Sequence, residues 1–280
     1  MNNFELLNWV FAFSFWSLLS PGRSTSSDFK SSLIQNIVHG NPSPLRPFFI
    51  RVQVNMDLDT NRKCSGAVLH ERWMVTSALC ITDKSGKIAE PGQVYVAVSN
   101  FEGGVIGSRK FKVSDVILPA NFKYEQQIND LALIRIHQTL SPNRIIEMCQ
   151  HYPASFDTEV SAVGLGSTTR FQHVPATTLQ EINLKLSPFQ TLNRSSFADC
   201  PTSLVCTQTI IDDSGLCYHD VGDPLFMWDC QTHRPLCLLG IATPTLKDES
   251  PLRDCTGQAD FTSIPFFHDW IFTRIALNME

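Results

Sequence analysis

The chain has no excess of positive charge. Its 22 Lys and Arg stand against 27 Asp and Glu, for a net charge of −5 and a pI near 5.9. Nucleic acid is therefore excluded as a default partner, because nothing in bulk neutralises phosphates. There is no Cys-x-x-Cys pair, and the eight histidines are scattered, so neither structural zinc nor any other metal site is indicated. No sequence motif calls for a cofactor. Internal repeats and a linker that would split the chain are also missing. Charged residues make up only 18% and hydrophobic ones 43%, too apolar for disorder and enough for a sizeable core.

Long apolar runs are scarce as well. The only candidate, from Leu6 to Leu19, is interrupted by Asn8 and two serines and falls short of the roughly 20 residues a bilayer span needs. Small residues follow at Ser20, Gly22 and Ser24. The segment reads as a secretory signal peptide over 1–24, despite an atypical start with Glu5 and no basic residue. An uncleaved anchor is the alternative. Residues 25–36 read as a short Ser-rich pro-segment, and 37–280 as one folded domain. Nine cysteines in a secreted chain imply several disulfides and one leftover thiol.

What is present is a series of short apolar runs bounded by Gly, Pro, Asn and Asp. The chain alternates from Phe48, and GAVL, WMVTSAL, QVYVAVS, RKFKVSDVIL, LALIRI, EVSAVGLG, LQEINLKL, PLFMW, PLCLLGIA and ADFTSI follow. This density of strand-like segments predicts an all-β barrel protein. Only the tail PFFHDWIFTRIALNM has helical spacing, with Trp270, Ile271, Ile275 and Leu277 expected as its buried stripe.

Several of these pieces, in order, resemble the chymotrypsin/trypsin family of serine proteases from about Ile37 to the closing helix. IVHG is similar to the family's mature N-terminus, and CSGAVLHERWMVTSALC to the strand pair that leads to its catalytic histidine. VILPANFKYEQQINDLALIRI resembles the segment of the catalytic aspartate. GLG at 164–166 stands where Gly-Trp-Gly is usual, and CYHDVGDPL resembles the nucleophile segment Cys-x-Gly-Asp-Ser-Gly-Gly-Pro-Leu. The resemblance implies a double β-barrel with a C-terminal α-helix. It also places Leu79, Asp130 and Val221 at the three triad positions. The chemistry needs a hydroxyl nucleophile, an imidazole to take its proton and a carboxylate to orient the imidazole. Leucine and valine supply neither of the first two. His219 falls at the oxyanion-hole glycine, Asp223 replaces a second glycine, and Gly215 falls at the floor of the specificity pocket. Pro244, within Thr243-Pro244-Thr245, removes a backbone donor from the substrate-binding edge.

The resemblance implies further pairings. Cys64–Cys80 and Cys217–Cys255 match family disulfides, and Val160 and Met227 occupy the two ends of another that is lost as a unit. Cys200–Cys206 is a further candidate, and Cys230 and Cys237 flank a hairpin they could bridge. Cys149 could instead take Cys230 or Cys237. The leftover thiol is expected to be buried, with an intermolecular disulfide as the alternative. Asp220 stands where active relatives pair a carboxylate with the new amino group of Ile37, yet Asn36 offers a trypsin-like activator no basic residue. Asp130 is expected to serve structure, bonded to backbone amides and the Thr243 hydroxyl. Asn193 begins a glycosylation sequon. The function implied is that of a secreted, non-catalytic homologue that binds a protease or zymogen and regulates an extracellular cascade. The alternatives are residual endopeptidase activity through Ser77 or Thr243, and a carbohydrate- or lipid-binding module.

Overall fold

A computed structural model describes residues 37, 40–56, 61–99, 106–155, 158–166, 178–187, 200–211, 214–216, 220–244 and 258–278. The signal-peptide and pro-segment expectations, Cys217–Cys255, His219 and Asn193 lie outside these residues.

The first barrel closes in the order β2 (Phe49–Asn55), β3 (Asn61–His70), β4 (Trp73–Thr76), β7 (Ala132–Ile136), β6 (Ile106–Ile117), β5 (Val94–Ser99) and back to β2. The second runs β8 (Glu159–Gly164), β9 (Gln180–Leu186), β10 (Leu204–Thr209), β13 (Gln258–Ser263), β12 (Arg234–Thr243), β11 (Pro224–Asp229) and returns to β8. A two-residue β1 (Asn41–Pro42) adds to β9. All these ladders are antiparallel, so the expected double β-barrel is the fold, and the helix α2 (Ile264–Leu277) follows it.

Alternation drives both closures. In β2 the residues Ile50, Val52 and Val54 are fully buried while Arg51 and Gln53 are only partly so, the period-two pattern of a sheet with one face on a core. Ile50, Val52, Val96, Phe111 and Ile134 fill the first barrel, and Val160, Leu184, Val205 and Leu225 the second. A third cluster joins them. Phe49, Trp73 and Leu133 come from the first barrel, Phe226, Leu238 and Ile241 from the second, and Ile264, Phe267 and Ile271 from α2. Leu131, next to Asp130, belongs to this junction, and Val221 packs against the first-barrel core.

Several expectations are corrected here. The run WMVTSAL is not one strand. β4 ends at Thr76, and Ser77 caps a single helical turn, α1 (Ala78–Ile81), by accepting a hydrogen bond from Leu79 N–H. The LVCTQT strand β10 was not anticipated. On α2 the buried stripe is Ile264, Phe267, Ile271 and Ile275, whereas Leu277 is 70% exposed and Trp270 only partly covered. The stripe begins earlier because Ser263 caps the helix and Pro265 occupies its first turn.

The cysteines correct another pairing. Cys64–Cys80 and Cys200–Cys206 are bonded, but Cys237 is bonded to Cys149 rather than to Cys230. The register explains why. Met227 lies opposite Cys237, so Cys230 is three residues further along the hairpin, roughly 10 Å away at strand rise and beyond disulfide reach. Residues 147–149 meanwhile run beside β12, with Cys149 N–H donating to the Leu238 carbonyl. Cys230 is a free, exposed thiol, contrary to the expectation of a buried one.

Met227 also lies directly opposite Val160 across β11 and β8, so the two ends of the missing bridge meet as an apolar pair. The double substitution Val160→Cys/Met227→Cys is expected to close a fourth disulfide and stabilise the chain by ~2–4 kcal/mol. Comparing urea midpoints with and without reductant, alongside thiol counting by mass, checks this.

Candidate functional site

Asp130 follows the tight turn that leads into β7 and is buried to 1% exposure at the junction of the barrels. Its carboxylate is fully engaged. Ser77 Oγ donates within 2.7 Å of both oxygens, Leu79 N–H donates to Oδ1 at 2.8 Å, and Thr243 Oγ1 donates to Oδ2 at 2.7 Å. The Thr243 hydroxyl expected from the sequence is thus in place. The Asp130 carbonyl accepts from Thr262 Oγ1 at 2.9 Å. Burial pushes the carboxyl above its usual range, and the hydrogen bonds from Ser77, Leu79 and Thr243 pull against that shift.

Leu79 is positioned by α1, where Cys80 N–H donates to the Ser77 carbonyl and Thr82 N–H to the Ala78 carbonyl. Its own N–H is shared between Asp130 and the Ser77 hydroxyl. Arg62 Nη1 reaches its carbonyl at 2.9 Å and also contacts the Thr82 carbonyl. Among the described residues no imidazole is a bonded partner of Asp130, and its carboxylate holds the turn at Ser77 and Leu79. Sequence reading missed Arg62, since an arginine on the core-facing side of β3 gives no sign that it will bend toward the end of α1.

Val221 is partly buried at a bend that clamps both barrels. Its carbonyl accepts from Ser65 N–H at 3.2 Å in β3. Gly222 N–H donates to the Ala242 carbonyl at 2.9 Å, and Ala242 N–H to the Asp223 carbonyl at 2.9 Å. Gly222 has φ of +90°, and a Cβ there would stand 2.2 Å from the Ser65 carbonyl oxygen. Only glycine fits this bend.

Two buried acids flank it. Asp220 is 2% exposed and Asp223 fully buried. The glycines of GLG make room for them: a Cβ on Gly164 would fall 1.6 Å from Asp223 Oδ2, and one on Gly166 the same distance from Asp220 Oδ1. Neither oxygen of Asp223 has a well-formed hydrogen bond among the described residues. Burial, then the neighbouring Asp220, holds the Asp223 carboxyl well above the ordinary carboxylate range, while Ser65 and Arg51 oppose the shift. Burial lowers the Arg51 pKa and Asp223 raises it. Arg51, on the outward side of β2, is a second residue that sequence reading missed. Its only signal was a charge inside FIRVQV.

The remaining positions are spread around this core. Ile37 is fully buried in the second-barrel cluster, with φ of 49°, a backbone setting costly for a β-branched residue. Gly215 is buried beside Ser214, whose hydroxyl donates to the Ile211 carbonyl. Pro244 directly follows β12. Among the described residues no group of three or more His, Cys, Asp or Glu could hold a metal, and no helix is long and apolar enough to cross a membrane.

A family model described as trypsin matches residues 37–271. The mouse kallikrein 1-related peptidase-like b4 is 25% identical over 234 residues, spanning 77% of this chain and 83% of that protein. Among solved structures, mouse neuropsin, a serine protease expressed in the limbic system of the brain, superposes with a TM-score of 0.66 at 17% identity, over 85% of this chain and all of its own. Human heparin binding protein gives 0.63 at 22% identity, covering 85% of this chain and 96% of that one.

The acid pair has a pH consequence. A carboxyl whose native pKa is raised keeps its full contribution below the unfolded value of about 4 and loses stability as pH rises toward the native pKa. Asp223→Asn removes that dependence. The stability of the variant relative to the parent is expected to climb as pH increases from about 4, read from urea unfolding at successive pH values. Parallel curves would contradict the buried-acid assignment.

Proposed function

The chain belongs to the trypsin family of serine proteases, and we propose that this member acts by binding and not by hydrolysis. The observation that carries the reading is the saturated carboxylate of Asp130. Its two oxygens accept from Ser77, Leu79 N–H and Thr243, with leucine at the family's histidine position and valine at its serine position. A serine protease needs a base that can take and return a proton within hydrogen-bond reach of a nucleophile. Loss of nucleophile or base in a subtilisin costs about 10⁶ in turnover. Asp223 adds a fully buried acid two residues after Val221.

A relocated nucleophile gains no support from the geometry. Ser77 is fully buried and Thr243 nearly so, and both hydroxyls donate to the same carboxylate. Among the described residues Asp130 is the one base that either hydroxyl contacts, and burial keeps both hydroxyls from a substrate.

The remaining scaffold suits recognition. The barrels are closed and stapled by three disulfides among the described residues, a pattern that favours an oxidising, extracellular setting. We read the protein as a secreted regulator that presents a protease-like surface to a protease or zymogen of an extracellular cascade. An exposed Cys230 thiol is available for an intermolecular disulfide.

Treatment with a fluorophosphonate probe, next to an active trypsin-family enzyme as control, is expected to leave this protein unlabelled and a peptide library uncut. Labelling, or cleavage that disappears with Asp130→Ala, would overturn the reading.

A further inference from the structure

Four neighbouring strand segments of the first barrel carry bases and no acids. Segments 49–56, 61–70, 94–99 and 106–114 hold Arg51, Arg62, Lys63, Arg109, Lys110 and Lys112, without one Asp or Glu. In a chain of net charge −5 this is a marked segregation. Register places the bases. Lys63 lies opposite Gln53, Gln53 opposite Tyr95, and Tyr95 opposite Lys112. One step along, Arg51 lies opposite Ala97 and Ala97 opposite Lys110. The intervening Val52, Val96 and Phe111 fill the barrel, so these rows share the outward face. Lys110 Nζ donates to Gln53 Oε1 at 3.3 Å across the strands.

Two of the six bases are already answered. Arg51 faces Asp223, and Arg62 turns to the carbonyls of α1. Lys63, Lys110 and Lys112 are exposed and have no ion pair among the described residues. Arg109 belongs to the other row of β6, opposite Val98 and over the Phe111 ring at 5.0 Å, and is not counted in the patch. The next acid along β6, Asp115, pairs with Arg135. Asp57 and Asp59 follow β2 in sequence and lie outside the described residues.

We propose that this face docks an extended acidic segment of a protein partner. The inference names a surface for the binding role proposed above and rests on that reading. Lys63 and Lys112 are three strand spacings apart, roughly 14 Å, and Lys110 and Lys112 are about 7 Å apart along one strand. An extended peptide presents side chains on one face every ~7 Å, so carboxylates four positions apart match the span from Lys63 to Lys112, with Lys110 beside the Lys112 end of that line. Gln53 and Tyr95, between the lysines, offer an amide and a phenol ring to the peptide that crosses them. Exposed charge pairs of this kind set encounter and partner choice more than raw affinity.

The test uses the full secreted chain and a synthetic peptide of alternating glutamate and serine, with a sulfated polysaccharide as comparator. Fluorescence anisotropy is expected to show peptide binding that weakens as salt rises. The charge reversal Lys63→Glu/Lys110→Glu/Lys112→Glu should weaken it by about tenfold or more. Circular dichroism and thermal melts confirm that the variant folds; the single Lys112→Glu, expected to bind measurably less, serves if it does not. No peptide binding, binding untouched by these changes, or a clear preference for the polysaccharide overturns the proposal. Because no hydrolysis is read, failure here leaves the non-catalytic reading to its own test.

Discussion

The carboxylate of Asp130 is the point at which the two barrels are tied. Ser77 and Leu79 reach it from the end of β4 and from α1, and Thr243 from the end of β12. Thr262 on β13 holds its backbone carbonyl. Donors from both barrels therefore converge on one buried residue. Charge-assisted hydrogen bonds are worth about 1.5–3 kcal/mol each, and a buried donor left without its acceptor costs about 1–3 kcal/mol. The burial that raises the acid's pKa also makes these bonds strong, since a low local dielectric strengthens satisfied polar contacts and penalises unsatisfied ones. The same side chain holds a turn and a strand end.

The bend at 220–223 is the second tie. Its backbone bonds run to β3 on one side and β12 on the other, and Gly222 lets it pass close to Ser65. The same bend places Asp223 in a slot that Gly164 leaves open, beside Asp220 and facing Arg51. Two buried acids and one partly buried arginine make a local charge balance that an ordinary glycine at 223 would not need. The arrangement costs stability unless a proton is held within it. The buried charge thus gathers within two residues of Val221.

Much of the fold could be read from period-two alternation, because barrel interiors demand it. β2, β5, β7, β8 and β9 all stand where apolar residues alternate or run together. Failures came where a short polar cap or a cross-chain contact decides. Ser77 ends β4 by capping a turn, which alternation through WMVTSAL conceals. β10 is lined by Thr207 and Cys206 and carries little of the Val/Ile signature that marks a strand. Trp270 and Leu277 looked buried from spacing alone, but the apolar junction begins at Ile264 and leaves Leu277 past its end. Cys149–Cys237 depends on residues 147–149 lying along β12, a tertiary fact that cysteine spacing does not encode. At the site, Leu79, Asp130 and Val221 could be singled out because motif residues are local in sequence. The partners of Asp223 were not, since Gly164 and Arg51 reach it from distant strands.

The most direct test of this account is the stability of Asp130→Ala against the parent in urea unfolding, with folding of both checked by circular dichroism. The account predicts a loss of roughly 3 kcal/mol or more, because the variant strands the Ser77, Leu79 and Thr243 donors in a buried junction. An unchanged unfolding midpoint would contradict it, for Asp130 would then not be the tie between the barrels.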